Sequence, residues 1–376
     1  MTNTQELLKK IISIPSYVDG NHNEEQLGIF VEEFIKTNTS LVVEKQTVEG
    51  NRFNIIAKGK NNPKIILFGH LDTVLPKNET TTPFVPRVED DKLFGLGSVD
   101  MKSGLAIMLD IASQNLTEDL GFVFSVDEEY DFKGAKKLME ITNLHPEIII
   151  NVEPTNQKIL NGCRGITEFS FDLIGKSAHA GKKQLGINAI ESVVDLCNSL
   201  QQDVSQFDND DAKSSVNLAY LHGGILDKME NGEPVVKRMG NVVPDYAKAI
   251  IEIRLGSSQI TQDYITKFIS KKSTEMNTRL ENLKFKFYLG SMFTPKKDLA
   301  DFEKIIISSG NQVEYDDINQ TGFFELQLLQ EKWGGRCLVY GAGPSELSHA
   351  ANEYVYLSTI TSVQKTIEDF IKDKLL

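Results

Sequence analysis

The sequence predicts an α/β protein: a mixed, largely parallel sheet flanked by helices, interrupted by a smaller inserted α+β domain. Three observations carry this. Apolar strand-like runs alternate with helix-like segments up to Gly162. The pattern then changes to alternating strands and two amphipathic helices, and from about Met292 the first character returns. The length of 376 residues agrees, since about 150 residues per domain makes two domains the first expectation.

The elements follow in order. LLKKIISI has apolar residues at helical spacing, SYVDGNHNEE is turn-like, and LGIFVEEFI resumes the helical period. LVVEKQTV, FNIIAKG and KIILFGHLD read as strands, MKSGLAIMLDIASQN as a helix, GFVFSVDEE as a strand, GAKKLMEIT as a helix and EIIINVE as a strand. After Gly162, TEFSFDLIG is an alternating strand and INAIESVVDLCNSLQQ an amphipathic helix. SSVNLAYLHGG, a polar turn at Asn231 and Gly232, YAKAIIEIRLG, the helix-like ITQDYITKFISKKSTEM and the strand LKFKFYLG complete a β-α-β-β-α-β unit. DFEKIIISSG, RCLVYGAG and the helix TITSVQKTIEDFIKDKL close the chain. The expected domains are 1–165, an insert over 166–291, and 292–376 as the second part of the first domain; insertion is tolerated where the ends of the insert lie close together.

Composition excludes several classes. With 40 Lys and Arg against 53 Asp and Glu, the net charge is −13. A nucleic-acid partner is not expected, because neutralising phosphates needs a basic face. No apolar run of about 18 residues suggests a membrane span. The opening MTNTQELLKK lacks the basic-then-apolar pattern of a signal peptide. Three widely spaced cysteines, Cys163, Cys197 and Cys337, suit a reducing compartment. The expectation is a cytoplasmic protein, in which the Asn-x-Ser/Thr matches at Asn38, Asn78, Asn115 and Asn319 are chance.

The chemistry concentrates at strand ends. IILFGHLD ends in His70 and Asp72, FGLGSVD in Asp100, VFSVDEE in Glu128 and Glu129, and IIINVE in Glu153. Open parallel sheets bind ligands at that edge. Several carboxylates buried together without cations would cost several kcal/mol per charge, so a divalent metal is the natural compensation. Alternate residues of a strand share a face, which makes His70 and Asp72 neighbours. A metal-binding imidazole needs an acceptor on its other nitrogen, and Asp72 is placed to supply one. The adjacent Glu128 and Glu129 allow one carboxylate to bind metal while the other handles protons. Imidazole with carboxylate suits zinc, less specifically cobalt or manganese.

GHLDTV, LGSVDMKSG, SVDEE, NVEPT, GKSAHAG and SHAANEYV, in this order, resemble the metallopeptidase family of acetylornithine deacetylase, succinyl-diaminopimelate desuccinylase and glutamate carboxypeptidase. The resemblance spans nearly the whole chain. It implies a catalytic α/β domain with an inserted dimerisation domain, a homodimer, and two metal ions, usually zinc. It assigns His70 and Glu153 to one ion, Glu129 and His349 to the other, and Asp100 as the bridge. Asp72 would orient His70, and Glu128 would be the general base. A glutamate at Glu153 goes with deacylases and carboxypeptidases. His179, in SAHAG, matches a histidine that stabilises the oxyanion from the other subunit, and Asn241 and Arg254 resemble residues that hold a substrate carboxylate. Arg164, in CRGI, either reaches substrate or pairs with acidic neighbours.

The implied activity is hydrolysis of the amide bond of a small N-acyl amino acid. Two alternatives stand beside it: a glutamate-releasing carboxypeptidase, and an inactive metal-binding homologue acting as sensor or scaffold. Against the sensor stands the retained Glu128. The chain departs from the family pattern at EEYDFKGA after the double glutamate, at TGFFELQ, where Glu325 takes the place of an aspartate near the substrate, and at Glu252 before Arg254. His22, His145 and His222 read as surface or strand-end residues, and Asp127 as structural.

Overall fold

The computed structural model describes residues 3–77 and 82–376, so Asn78 lies outside the described residues. The chain forms two compact units. The first comprises Met1–Gly162, Phe293–Asp317 and Phe324–Leu376; the second comprises Cys163–Met292 with Ile318–Phe323.

The first unit is built on a six-stranded sheet ordered Val42–Glu49, Arg52–Lys58, Leu120–Ser125, Ile65–His70, Ile148–Asn151, Arg336–Val339. The last four strands run parallel, and the first two are antiparallel additions. Ile65–His70, Leu120–Ser125 and Ile148–Asn151 are buried at every position. This is why they read as unbroken apolar runs: a parallel sheet is covered on both faces. The edge strand Val42–Glu49 alternates between exposed and half-buried and carries the charges expected of an edge.

The helix Lys102–Ser113 is buried along nearly its whole length, as a helix apolar on all sides should be. Gly104 allows its approach, since a Cβ there would lie 2.2 Å from the Val152 carbonyl oxygen. That contact draws the residues before the helix toward those after Asn151. A small antiparallel sheet of Arg87–Glu89, Lys92–Phe94 and Tyr354–Tyr356 joins segments far apart in sequence. Strands of three residues are too short to show a period, and the sequence gives no sign of them.

The second unit is a five-stranded antiparallel sheet ordered Glu233–Lys237, Ser215–Glu230, Tyr246–Leu255, Gly165–Ile174, Arg279–Leu289. Strand Glu233–Lys237 is one more than the sequence pattern shows; it pairs back across the Asn231–Gly232 turn, both residues of which have positive φ. Helix Ala189–Val204 is capped by the Asn188 side chain, and helix Gln262–Glu275 by Thr261. Both pack apolar residues such as Val193, Leu196, Ile265 and Ile269 against Phe169, Phe171, Ala249 and Ile251 of the sheet. Among the described residues, no helix is long and apolar enough to cross a membrane.

Candidate metal centre

The parallel strands of the first unit end in register. His70 pairs with Ser125, and Asn151 pairs with Phe68 and Val339. The residues just beyond these ends therefore meet at one edge of the sheet. His70 is fully buried at the end of its strand. Its Nε2 lies 3.1 Å from Oδ1 of Asp100, and its Nδ1 lies 3.1 Å from the main-chain oxygen of Asp72. The Asp72 carboxylate is farther from Nδ1, at 3.5 Å. Asp72 therefore meets Nδ1 twice, through its carbonyl and, at longer range, through its carboxylate. The carboxylate is also engaged elsewhere: it accepts the main-chain N–H groups of Glu128 at 3.2 Å and Glu129 at 2.9 Å. Asp72 thus touches the imidazole with carbonyl and carboxylate and holds the double-glutamate turn with its side chain.

His349, at φ +62°, turns its ring toward the same spot. Its Nε2 lies 2.9 Å from Oε2 of Glu129 and 3.5 Å from Oδ2 of Asp100. Asp100 thereby offers one oxygen to His70 and the other to His349. Glu153 is buried and accepts a hydrogen bond from Asn151 Nδ2 at 3.0 Å. Two donor groups result: His70, Asp100 and Glu153, and Asp100, Glu129 and His349, each with ligand atoms within 4.8 Å of one another. They share Asp100. A third group, His70 with Glu128 and Glu129, overlaps the first two.

Charge crowding at this edge is severe. Burial, with Asp100 and Glu129 close by, pushes the Glu153 carboxyl up to about 8, against the pull of His70. Burial and the neighbouring Glu153 push Glu128 well above the usual carboxylate range. Glu129 is raised by burial and by Asp100, with the His349 hydrogen bond opposing. Burial favours neutral His70, yet its contacts with Asp100 and Asp72 outweigh that and raise its pKa. For the three glutamates burial is the larger cause, and the crowding of anionic oxygens adds to it. Mixed imidazole and carboxylate donors around such an excess of negative charge fit divalent zinc-like cations.

Two supporting residues escape a sequence reading. Glu353 is buried and accepts the main-chain N–H groups of Gly97, Val99 and Asp100 at 2.8, 2.6 and 2.9 Å. It shapes the turn that presents Asp100; burial and the charge of Asp100 push its carboxyl to about 8. Its signal was its place in SHAANEYV, four residues after His349. The second is Arg52, which bonds both Glu24 and Asp127. Glu325 is wholly buried, accepts a hydrogen bond from Ser125 Oγ, and adds its charge to the crowding at Glu128. An apolar-flanked helix start folds it inward.

The remaining candidates belong to the second unit. His179 is exposed, and its Nδ1 accepts the N–H of Gly181 at 3.1 Å. It pairs with Val242, and Asn241 accepts the N–H of Ala180 on its main-chain oxygen. Arg254 pairs with Glu252 at 3.0 Å and lies 5.1 Å over the Phe323 ring. Arg164 donates to the carbonyls of Asn319 and Lys213. In the sheet, Arg254 opposes Ile166 while Tyr246 opposes Ile174. His179 and Asn241 thus sit beyond one end of the sheet, and Arg164 and Arg254 at the other, about 25 Å away by strand rise. Asn241 and Arg254 of one chain cannot close on a single carboxylate; the register of the strand between them forbids it.

A model of peptidase family M20/M25/M40 matches residues 66–373. A protein named a probable carboxypeptidase from Aspergillus clavatus is 28% identical over 334 residues, which is 81% of this chain and 75% of that protein. An acetylornithine deacetylase from Buchnera aphidicola subsp. Acyrthosiphon pisum is 29% identical over 238 residues, 58% of this chain and 62% of its own length. An M20 family metallo-carboxypeptidase from Sulfolobus solfataricus shares the fold, with a TM-score of 0.65, 16% identity, and 99% of each chain covered.

Proposed function

Because the chain belongs to peptidase family M20/M25/M40 and is a hydrolase, we propose that it cleaves the amide bond of a small N-acyl amino acid bearing a free carboxylate, as a two-zinc enzyme. The observation that carries this is the pair of donor groups sharing Asp100, with Glu128 beside them. His70 and Glu153 would hold one ion, Glu129 and His349 the other, with Asp100 between. When bound, two dications acidify water and polarise the scissile carbonyl.

The chain's own residues do the rest. Glu128 takes a proton from the attacking water and delivers it to the leaving amine nitrogen. Asp72 fixes the backbone of both glutamates, so the base does not wander. The His70 Nδ1 faces a carbonyl, which makes that nitrogen the protonated one and leaves Nε2 as the ligand atom. His179 would donate to the developing oxyanion. Arg254 would grip the substrate carboxylate through its planar fork, with Arg164 beside it. The separation of His179 and Asn241 from the two arginines supports a homodimer in which each copy lends one end of its sheet to a site. The expected compartment is the cytoplasm.

A second reading, a carboxypeptidase of the glutamate-releasing kind, draws support from the names of the Aspergillus and Sulfolobus proteins. One assay separates the two. Zinc-loaded protein is offered a panel of N-acetyl amino acids and a panel of N-blocked dipeptides, with and without chelator. Chelator-sensitive release of acetate without dipeptide cleavage supports the deacylase. Dipeptide cleavage alone supports the carboxypeptidase, and no turnover on either panel overturns both.

A further inference from the structure

The turn that carries Glu128 and Glu129 begins at Asp127, which has φ +73°. Asp is among the L-residues that enter that region most often, so the surroundings need only hold it there. Here they do. The Asp127 N–H donates to Oε1 of Glu24 at 3.1 Å. One Asp127 carboxylate oxygen accepts the N–H groups of Asp131 and Lys133, each at 3.2 Å. The other accepts from Nη2 of Arg52 at 2.5 Å. Arg52 also grips Glu24, with Nη2 to Oε1 at 2.6 Å and Nε to Oε2 at 2.8 Å. All three residues are buried. They come from the residue before helix Glu25–Asn38, the start of strand Arg52–Lys58 and the loop after strand Leu120–Ser125.

We propose that Arg52 is a positioning residue for the catalytic turn, acting through Asp127 and Glu24 to hold Glu128 and Glu129 at the metal edge. The assignment rests on Glu128 being the base. Two carboxylates face each other across one guanidinium. Without that fork they repel, Glu24 no longer anchors the Asp127 N–H, and the turn relaxes toward the ordinary extended region. Glu128 then swings, although every donor to metal is still present. Asp72 tethers the turn from the opposite side but cannot set its direction alone. Lysine keeps the charge and loses the two-pronged geometry, so Arg52→Lys isolates the fork.

The test compares the parent, Arg52→Lys and Glu24→Gln by amide hydrogen exchange on metal-free protein, then by kinetics on zinc-loaded protein. In Arg52→Lys, amides of residues 127–133 are expected to exchange about tenfold faster or more while those of Ile65–His70 keep their protection. The value of kcat should fall about 10–100-fold with zinc content and KM little changed, the mark of a displaced group and not of lost binding. Glu24→Gln should move both readouts the same way by less. Unchanged exchange over 127–133, or a uniform rise throughout the protein, overturns the proposal. A parent inactive on every substrate would instead overturn the proposed function, and the exchange data would still judge the clamp.

Discussion

Ser125 donates its hydroxyl proton to the carboxylate of Glu325, at the strand position paired with His70. The other Glu325 oxygen is buried without a hydrogen-bond partner among the described residues. Burial therefore pushes this carboxyl from 4.5 to about 8, with Asp72 and Glu153 adding to the shift. Below about pH 4.5 the group is protonated in the folded and unfolded chains alike and contributes no pH dependence. As pH rises to about 8, the unfolded chain ionises first and stability falls. Glu325→Gln cannot ionise. Its stability relative to the parent should rise with pH across that window, by at most about 4 kcal/mol. Thermal unfolding of metal-free parent and variant at about pH 5 and about pH 8 checks this; parallel curves would show that Glu325 is not buried as described.

The base admits a direct test. Glu128→Gln keeps size and hydrogen bonding and removes proton transfer. It should lower kcat by about 10²–10⁴-fold while bound metal stays at the parent level. Elemental analysis beside the assay distinguishes this from loss of the ions. A variant with near-parental turnover would remove Glu128 from the mechanism.

Asp100 should differ from the other ligands in what its loss removes. Its two oxygens face His70 and His349 separately. Asp100→Asn is expected to lower occupancy at both positions, whereas His349→Ala should weaken one and spare the other. Titration with zinc, read by calorimetry, gives the stoichiometry. Equal losses in the two variants would argue against a shared ligand.

The distance between the two ends of the second unit's sheet predicts complementation. His179→Ala and Glu128→Gln should each be inactive as pure proteins. Mixed and allowed to exchange subunits, they should recover about a quarter of parental activity, since half the dimers are mixed and each of these has one intact site. Sedimentation must show a dimer. No recovery from a verified mixed dimer would place His179 in its own chain's site.

Much of this architecture is legible from local pattern. Ile65–His70, Leu120–Ser125 and Ile148–Asn151 are strands for the reason their composition suggests, and the donors stand just past their ends. The three-residue strands around Lys92–Phe94 are too short for periodicity to mark. Tyr130 follows the double glutamate; its hydroxyl accepts the Val18 N–H at 3.2 Å and lies 3.3 Å from the Thr73 oxygen. No spacing rule foretells that tie.

Which residue types reach the sheet edge was legible in the chain, because a strand's apolar run ends where its polar candidates begin. The same pattern pointed to a divalent metal, because adjacent acids at the end of buried strands cannot all stay charged alone. Folding alone reveals that the Asp72 carbonyl joins its carboxylate on His70, that Glu353 cradles the Asp100 turn, that Arg52 joins Glu24 to Asp127, and that Asn241 stands far from Arg254. Glu353 and Gly97 are 256 positions apart. A hydrogen bond across such a separation leaves no local period, and its direction depends on how strands register and helices pack.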